Sequence, residues 1–271
     1  MPEGHLLHRL AHEVTDLFGD HRVESSSPQG RFGSADLLNG SILTGAQTWG
    51  KHLFVGFDST DALVHVHLGI YGKMKFEPGV PPVVGEVRWR ISDGATTADL
   101  RGPAACELLD PPEVTTILNR LGPDPLRSQS DPEAFISRVL RSRAPIATLL
   151  MDQSVIAGTG NIYRAEVLFR HGINPITPGK ELSRSQVEAI WADMVALMSV
   201  GFDRGRIDTV RPEHEPEAMG RPPREDAHGG EVYVYRREGQ PCWVCGSPIL
   251  MTTVGSRNLF WCPTCQTGGG R

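Results

Sequence analysis

Four of the five cysteines crowd into the last thirty residues, as Cys242-x2-Cys245 and Cys262-x2-Cys265 with sixteen residues between the pairs. Two such pairs, each on a tight turn, present four thiolates tetrahedrally to one zinc ion. Two disulfides or a redox pair are the alternatives. With four protein ligands no coordination position stays open, so this zinc is structural, one per chain, and not catalytic. A ribbon of about forty residues buries little core and draws its folding energy from the metal. Arg257 sits between the pairs at a predicted hairpin tip, Gly255-Ser256-Arg257-Asn258. A guanidinium there suits a phosphate, and simple solvation explains it too. Cys106 stands alone in a strand pattern and reads as a small core residue.

Two further stretches carry chemistry. The chain opens Met1-Pro2-Glu3, and removal of methionine before proline leaves a secondary amine. An α-amino group has a pKa of roughly 7.7–8.0 and is partly neutral near pH 7, which makes it a Schiff-base nucleophile. The neighbouring Glu3 carboxylate can serve as general acid and base. Many chains begin this way by chance. In VIAGTGNIYRAEVLFRHGINP, Gly158, Gly160 and Asn161 open a helix. Backbone N–H groups and an amide side chain then face outward together, as at a phosphate site. A plain N-cap explains Asn161 equally well.

The elements that must position these groups follow from the apolar pattern. Leu6, Leu7, Leu10, Val14 and Leu17 trace an amphipathic helix that Gly19 ends. Short alternating runs follow (SILTGAQTWGKHLFVGF, ALVHVHLGIYGKMKF, EVRWRIS, ACELL), separated by Gly, Pro and Asn-Gly turns. They predict an antiparallel sandwich or barrel. From Asp131 the spacing turns helical in PEAFISRVLRS, APIATLLMDQSVIAG, NIYRAEVLFRHG and SRSQVEAIWADMVALMSVGF. Residues 204–230 are polar and rich in Pro, Gly and charge, which predicts a long mobile loop. The segment from Glu231 through Cys265 reads as two short hairpins around the cysteines. The predicted domains are 1–125, 126–230 and 231–271.

Composition narrows the class. The chain has 271 residues, 39% hydrophobic and 22% charged, and no apolar run of membrane length. It therefore reads as soluble and globular, with room for two domains of ordinary size. Charges near the start and the lack of an apolar signal core argue against export and for the cytoplasm. The formal net charge of −5 argues against a nucleic-acid protein. That deficit is local. Residues 1–125 hold 10 Lys and Arg against 16 Asp and Glu, whereas 126–271 hold 17 against 16. Only four of the 27 basic residues are lysines, Lys51 among them, a bias typical of GC-rich coding.

Together the Pro-Glu-Gly start, WGKHL, GTGNIYRAEVLF and the CxxC–GSRNxFWCPTCQ ending resemble the formamidopyrimidine-DNA glycosylase/endonuclease VIII family of bifunctional DNA glycosylases. The motifs lie at both ends and in the middle of the chain, in the family's order. The resemblance implies an α+β fold. An N-terminal antiparallel β-sandwich flanked by helices precedes a helix-two-turn-helix domain and a β-hairpin zinc finger. It makes Pro2 the nucleophile at C1′, Glu3 its acid and base, and Lys51 a phosphate contact beside the lesion. Asn161 and Arg257 become the clamps on phosphates flanking a flipped nucleotide, whose unstacking costs a few kcal/mol. The implied partner is double-stranded DNA with oxidised bases or abasic sites, approached as a monomer and, in the cell, at the nucleoid.

The turn HLGIYG bears on the branch. Ile70-Tyr71 resembles the Leu-Tyr wedge of the endonuclease VIII branch, although core packing also explains Tyr71. The stretch LRGPAACELL lacks the aromatic wedge of the 8-oxoguanine branch. The opening MPEGH and SSPQGRF resemble the actinobacterial group. The resemblance thus implies excision of oxidised pyrimidines and β,δ-elimination. A formamidopyrimidine/8-oxoguanine glycosylase and a non-catalytic zinc-finger protein that binds damaged DNA are the alternatives. Leu6 stands where many members carry a second glutamate, so Glu3 has less support here. With so little positive charge, grip must rest on a few placed cations, which predicts a shallow salt slope.

Overall fold

The structure is a computed structural model that describes residues 2–226 and 230–267. Met1, whose removal the sequence predicts, lies outside the described residues, as do 227–229 of the predicted loop and 268–271. The chain divides into two compact units, residues 1–120 and 121–271.

The N-terminal unit begins with α1 (Gly4–Phe18), which buries Leu7, Leu10, Ala11, Val14 and Phe18. Leu6 and Leu17 of the predicted stripe lie half-buried at its margins. Strands β1 (Glu24–Ser26), β2 (Leu43–Trp49), β3 (His52–Phe57), β4 (Thr60–His67), β5 (Lys73–Pro78), β6 (Trp89–Ser92), β7 (Thr96–Arg101) and β8 (Ala105–Leu109) follow, then α2 (Pro111–Leu118). They form two antiparallel sheets, ordered β1-β6-β7-β5 and β2-β3-β4-β8. Alternation turns Leu53, Val55, Val64 and Val66 of one sheet, and Trp89, Ile91, Ala98 and Leu100 of the other, into one core shared with α1. This is the predicted sandwich. Each such side chain stabilises the unit by about 1.5–3 kcal/mol.

Strand β7 escaped the sequence pattern, because Asp99 sits in its middle. That carboxylate pairs in register with Arg90 of β6 at 2.7 and 2.9 Å and also bonds Arg101. The second face of β2-β3-β4-β8 places Phe54 and Leu109 against Val114 of α2. Helix α2 itself, unforeseen, is started by a capping box between Asp110 and Glu113.

The C-terminal unit holds α3 (Pro132–Leu140), α4 (Ile146–Leu149), α5 (Asn161–Arg170), α6 (Arg184–Arg204), α7 (Pro216–Met219), β9 (Leu250–Val254) and β10 (Arg257–Trp261). The stretch APIATLLMDQSVIAG yields only the single turn α4. Beyond it Asp152 Oδ1 accepts from Ser154 N at 2.8 Å, and Gln153 bonds both Gly158 N and Thr159 O. Side chains there outcompete helical backbone bonding.

Of the two hairpins around the cysteines, β9–β10 is a full one, and the first is a short antiparallel turn in which Pro241 bridges Pro248, with Cys242 N bonded to Ser247 O at 2.8 Å and Ile249 N to Gln240 O at 2.9 Å. The strand-like Glu231–Tyr235 pairs with no strand among the described residues; the Glu166 carboxylate takes the amides of 233–235. Glu166 accepts from Tyr233, Val234 and Tyr235 N at 2.7–2.9 Å and from Thr209 Oγ1 at 2.6 Å. Residues 204–226 contain α7 and a 3-10 turn, Pro212–His214, neither of which buries a residue. Ion pairs hold this segment, Asp208 with Arg204 and Arg206, and Arg221 with Glu231 at 2.7 Å. Among the described residues, no helix is long and apolar enough to cross a membrane.

Candidate functional site

In the N-terminal unit, Glu3 is the N-cap of α1 yet makes no side-chain capping bond, and it is fully buried. A carboxyl so placed at a helix start is held for something other than the cap. Two bonds staple α1 to β2. Thr48 Oγ1 donates to Leu7 O at 3.0 Å, and Ala46 N donates to Thr15 Oγ1 at 2.9 Å. Strand β2 then turns into β3 through Gly50-Lys51, with Trp49 opposite His52 and Gly50 at φ +59°. Lys51 is thereby fixed at a two-residue hairpin turn one strand away from the helix that carries Pro2 and Glu3.

The β4–β5 turn is built to display its two middle residues. Gly72 N bonds Leu68 O at 2.9 Å, and a Cβ at Gly72 would lie 2.2 Å from that oxygen. Gly69 has φ +66°. Between these glycines Ile70 is 57% and Tyr71 85% exposed. That exposure removes core packing as the reason for Tyr71. An apolar pair held outward on a rigid turn is suited to wedge between bases.

In the C-terminal unit, Asn161 is the first residue of α5, and the N-cap is Gly160, with no side-chain cap. The simple capping role is therefore wrong for Asn161. Nor does its amide stand open, since the residue is buried and Nδ2 donates to Asn258 O of the hairpin at 2.8 Å. Arg164, one turn on and fully buried, bonds Asn161 Oδ1, Asn258 O and, at 3.4 Å, Val254 O. These carbonyls flank the tip Gly255-Ser256, where both residues have φ near +60° as a type I′ turn requires. The exposed Arg257 follows directly. Arg164, Arg257, Gly255, Thr148, Met151 and Asp152 line a cleft of about 270 Å³.

The four predicted cysteines come together with their sulfurs within 4.8 Å of one another. Sγ of Cys242 and Cys265 are 3.9 Å apart, and those of Cys245 and Cys262 are 3.4 Å apart. Tetrahedral Zn–S bonds of ~2.3 Å demand sulfur separations of about 3.8 Å. The set fits one zinc ion. Gln266, fully buried, ties this ribbon to the end of α5, accepting from Cys262 N at 2.8 Å and donating to Ile173 O at 3.0 Å. Cys106 is buried and its thiol is pushed up to about 12 by that burial, so it is inert.

Residues 1–106 match the formamidopyrimidine-DNA glycosylase N-terminal domain, and 121–211 match the formamidopyrimidine-DNA glycosylase H2TH domain. Residues 239–268 match the zinc finger found in FPG and IleRS. The chain is 48% identical to endonuclease 8 1 of Mycobacterium tuberculosis H37Rv over 98% of its own length and 100% of that protein's. The chain belongs to the formamidopyrimidine-DNA glycosylase/endonuclease 8 family. It is 32% identical to formamidopyrimidine-DNA glycosylase of Parasynechococcus marenigrum, covering 98% of this chain and 99% of the relative. Endonuclease 8 of Escherichia coli O9:H4 is 30% identical over 98% and 100%. The fold is shared with FPG of Lactococcus lactis, solved with abasic-site DNA (TM-score 0.78, 20% identity, 97% and 99% covered). The MutM (FPG) protein of Thermus thermophilus is similar at TM-score 0.77 and 24% identity, covering 99% and 100%.

As a member of the formamidopyrimidine-DNA glycosylase/endonuclease 8 family, the chain is a DNA glycosylase and AP lyase of base excision repair with a four-cysteine zinc finger. Sequence reading missed Arg164, which bonds Asn161 and the hairpin carbonyl of Asn258, and Glu166, which gathers the amides of 233–235. Their signal was present, because two charged residues on the buried face of an otherwise apolar helix must have partners.

Proposed function

We propose that this enzyme excises oxidised pyrimidines, such as thymine glycol and dihydrouracil, through a Schiff base on Pro2. The secondary amine of Pro2, exposed by removal of Met1, attacks C1′. The C1′–N bond breaks, and the base leaves with the bonding electrons and a proton from Glu3. The attached nitrogen gives up its proton, the C1′–O4′ bond breaks as O4′ takes up a proton, and the resulting open-chain iminium acidifies the 2′ protons. Loss of one expels the 3′ phosphate, a second elimination expels the 5′ phosphate, and water releases the sugar remnant from the amine. Lys51, Asn161 and Arg257 neutralise backbone phosphates while Ile70 and Tyr71 fill the gap left by the flipped nucleotide. The enzyme acts as a monomer on double-stranded DNA, in the cytoplasm at the nucleoid.

The buried Glu3 carboxyl, next to Pro2 and spent on no cap, carries this reading. The exposed Ile70–Tyr71 pair and the 48% identity to an endonuclease 8 support the pyrimidine preference. Borohydride trapping on duplexes bearing thymine glycol, dihydrouracil, 8-oxoguanine or an abasic site tests both parts. Wild type is expected to trap on the pyrimidine lesions and the abasic site, and Pro2→Gly is not. Undiminished trapping by Pro2→Gly would sink the Schiff-base assignment. Faster incision at 8-oxoguanine would move the enzyme to the purine branch.

A further inference from the structure

The sequence predicts a mobile loop over 204–230, yet the described part of that segment is tied to the zinc ribbon. From Arg211 to Asp226 it forms only the 3-10 turn Pro212–His214 and α7, and neither buries a residue. A stretch without a core holds one conformation only through outside anchors. Arg211 N donates to Tyr233 Oη at 2.9 Å, and His214 Nδ1 lies 2.9 Å from the same oxygen. Arg221 Nη2 donates to His214 O at 3.0 Å and pairs with Glu231 at 2.7 Å. The Arg221 guanidinium carbon also lies 4.3 Å from the centre of the Trp243 ring.

Trp243 stands between the zinc ligands Cys242 and Cys245. The knuckle around it is closed by Cys242 N to Ser247 O at 2.8 Å and Gly246 N to Cys242 O at 2.9 Å. The same ring carries a second guanidinium, with Arg237 Cζ 3.5 Å from its centre. Arg237 is fully buried, and it bonds Tyr233 O, Pro241 O at 2.6 Å and Gln240 Oε1 at 3.1 Å. Two cations thus meet on one indole, beside a site where four thiolates on one zinc leave about two negative charges. Trp243 Nε1 is buried with no hydrogen-bond partner among the described residues. An aliphatic filler would avoid that cost, so the indole is kept for its π face.

We infer that Trp243 is a positioning residue through which the zinc knuckle holds segment 211–226 in place. Four thiolates on one zinc fix the knuckle, and the knuckle fixes the indole. Arg237 braces the ring from the ribbon's own backbone, and Arg221 docks the segment on it. Zinc loading therefore governs order in a stretch that contains no zinc ligand. This holds whatever lesion the enzyme removes.

Hydrogen exchange on the full-length, zinc-loaded enzyme tests the inference. The amides of His214, Met219, Gly220 and Arg221 are bonded inside the segment and report its order. Trp243→Leu should speed their exchange about tenfold, the worth of a desolvated cation–π contact, while one zinc per chain is retained. Trp243→Phe keeps a π face and should stay near wild type. Chelation of wild type should release the same four amides together with the ribbon. Arg221→Gln, which lies outside the ribbon, should loosen the segment with zinc still bound, and it supplies the reading if Trp243→Leu loses its metal. In that Arg221→Gln background, Trp243→Leu should add nothing further at these amides. Protection that survives Arg221→Gln, zinc removal, or Trp243→Leu with zinc bound overturns the inference. So does an equal further rise when Trp243→Leu is added to Arg221→Gln, because Trp243 would then act through the core alone.

Discussion

Both units rest on an apolar core, but they hold their candidate site residues with different shares of buried polar bonding. In the N-terminal unit, Glu3, Lys51 and the Ile70–Tyr71 pair stand at the ends of elements carried by a continuous apolar core. In the C-terminal unit, Leu259 and Phe260 of the Arg257 hairpin join an apolar core as well, and buried polar groups add directional ties. Asn161 and Arg164 bond its carbonyls, Gln266 ties the ribbon to Ile173, and Glu166 collects the amides of 233–235. Apolar burial is non-directional and is lost in small increments. A buried polar network gives way steeply once one member leaves its partners unsatisfied. Substitutions in the core behind Glu3 and Lys51 should therefore act gradually, whereas loss of a buried polar tie around Arg257 should act steeply.

Removing zinc is the strongest way to break this contrast, since structural zinc contributes about 10–16 kcal/mol of apparent binding energy in small fingers. A chelator should expose amides 242–265 to hydrogen exchange and abolish incision while strands 43–67 stay protected. Exchange rising equally in both units would refute the separation. Next comes Glu166→Ala, which strands three buried amides and leaves Thr209 Oγ1 only Glu231 O at 3.4 Å, and should cost the C-terminal unit about 3 kcal/mol or more. Calorimetry should show that unit melting earlier with the N-terminal transition unmoved.

A smaller effect comes from Asp193. Burial alone would raise its pKa, but bonds from His171 and Arg170 outweigh burial and hold it at about 2. A folded-state value below the unfolded one stabilises above pH ~4 and is lost as the pH falls towards 2, a contribution of about 2 kcal/mol. Acid titration of the melting temperature should therefore show a step in the C-terminal unit that Asp193→Asn lacks. The smallest stability effect belongs to Tyr71→Ala. At 85% exposure the ring adds nothing to the core, so stability should change by less than about 0.5 kcal/mol. Incision of a lesion duplex should fall nonetheless; unchanged incision would remove the wedge.

What could be read from the sequence divides along the same line. The zinc ligands were legible because tetrahedral thiolate chemistry is written in local spacing, and the sandwich because its inward residues alternate. Strand β7 was hidden by Asp99, whose partner Arg90 on β6 appears only when the strands pair. The Glu231–Tyr235 stretch carried a true strand pattern that a distant carboxylate overrides. A hydrogen-bonded chain of His52, His65 and Glu107 joins positions 13 and 42 residues apart, and no local period marks it. Asn161 was found by its place at a helix start, yet its bond to Asn258 was out of reach of any window.

Glu166 also has a bearing on solubility. Val232, Tyr233, Val234 and Tyr235 make a β-branched and aromatic run without proline, the composition that seeds cross-β aggregation when its amides lie open. One carboxylate occupies three of those amides and denies them to a neighbouring chain. The carboxylate that organises 233–235 is thus also the gatekeeper of this run.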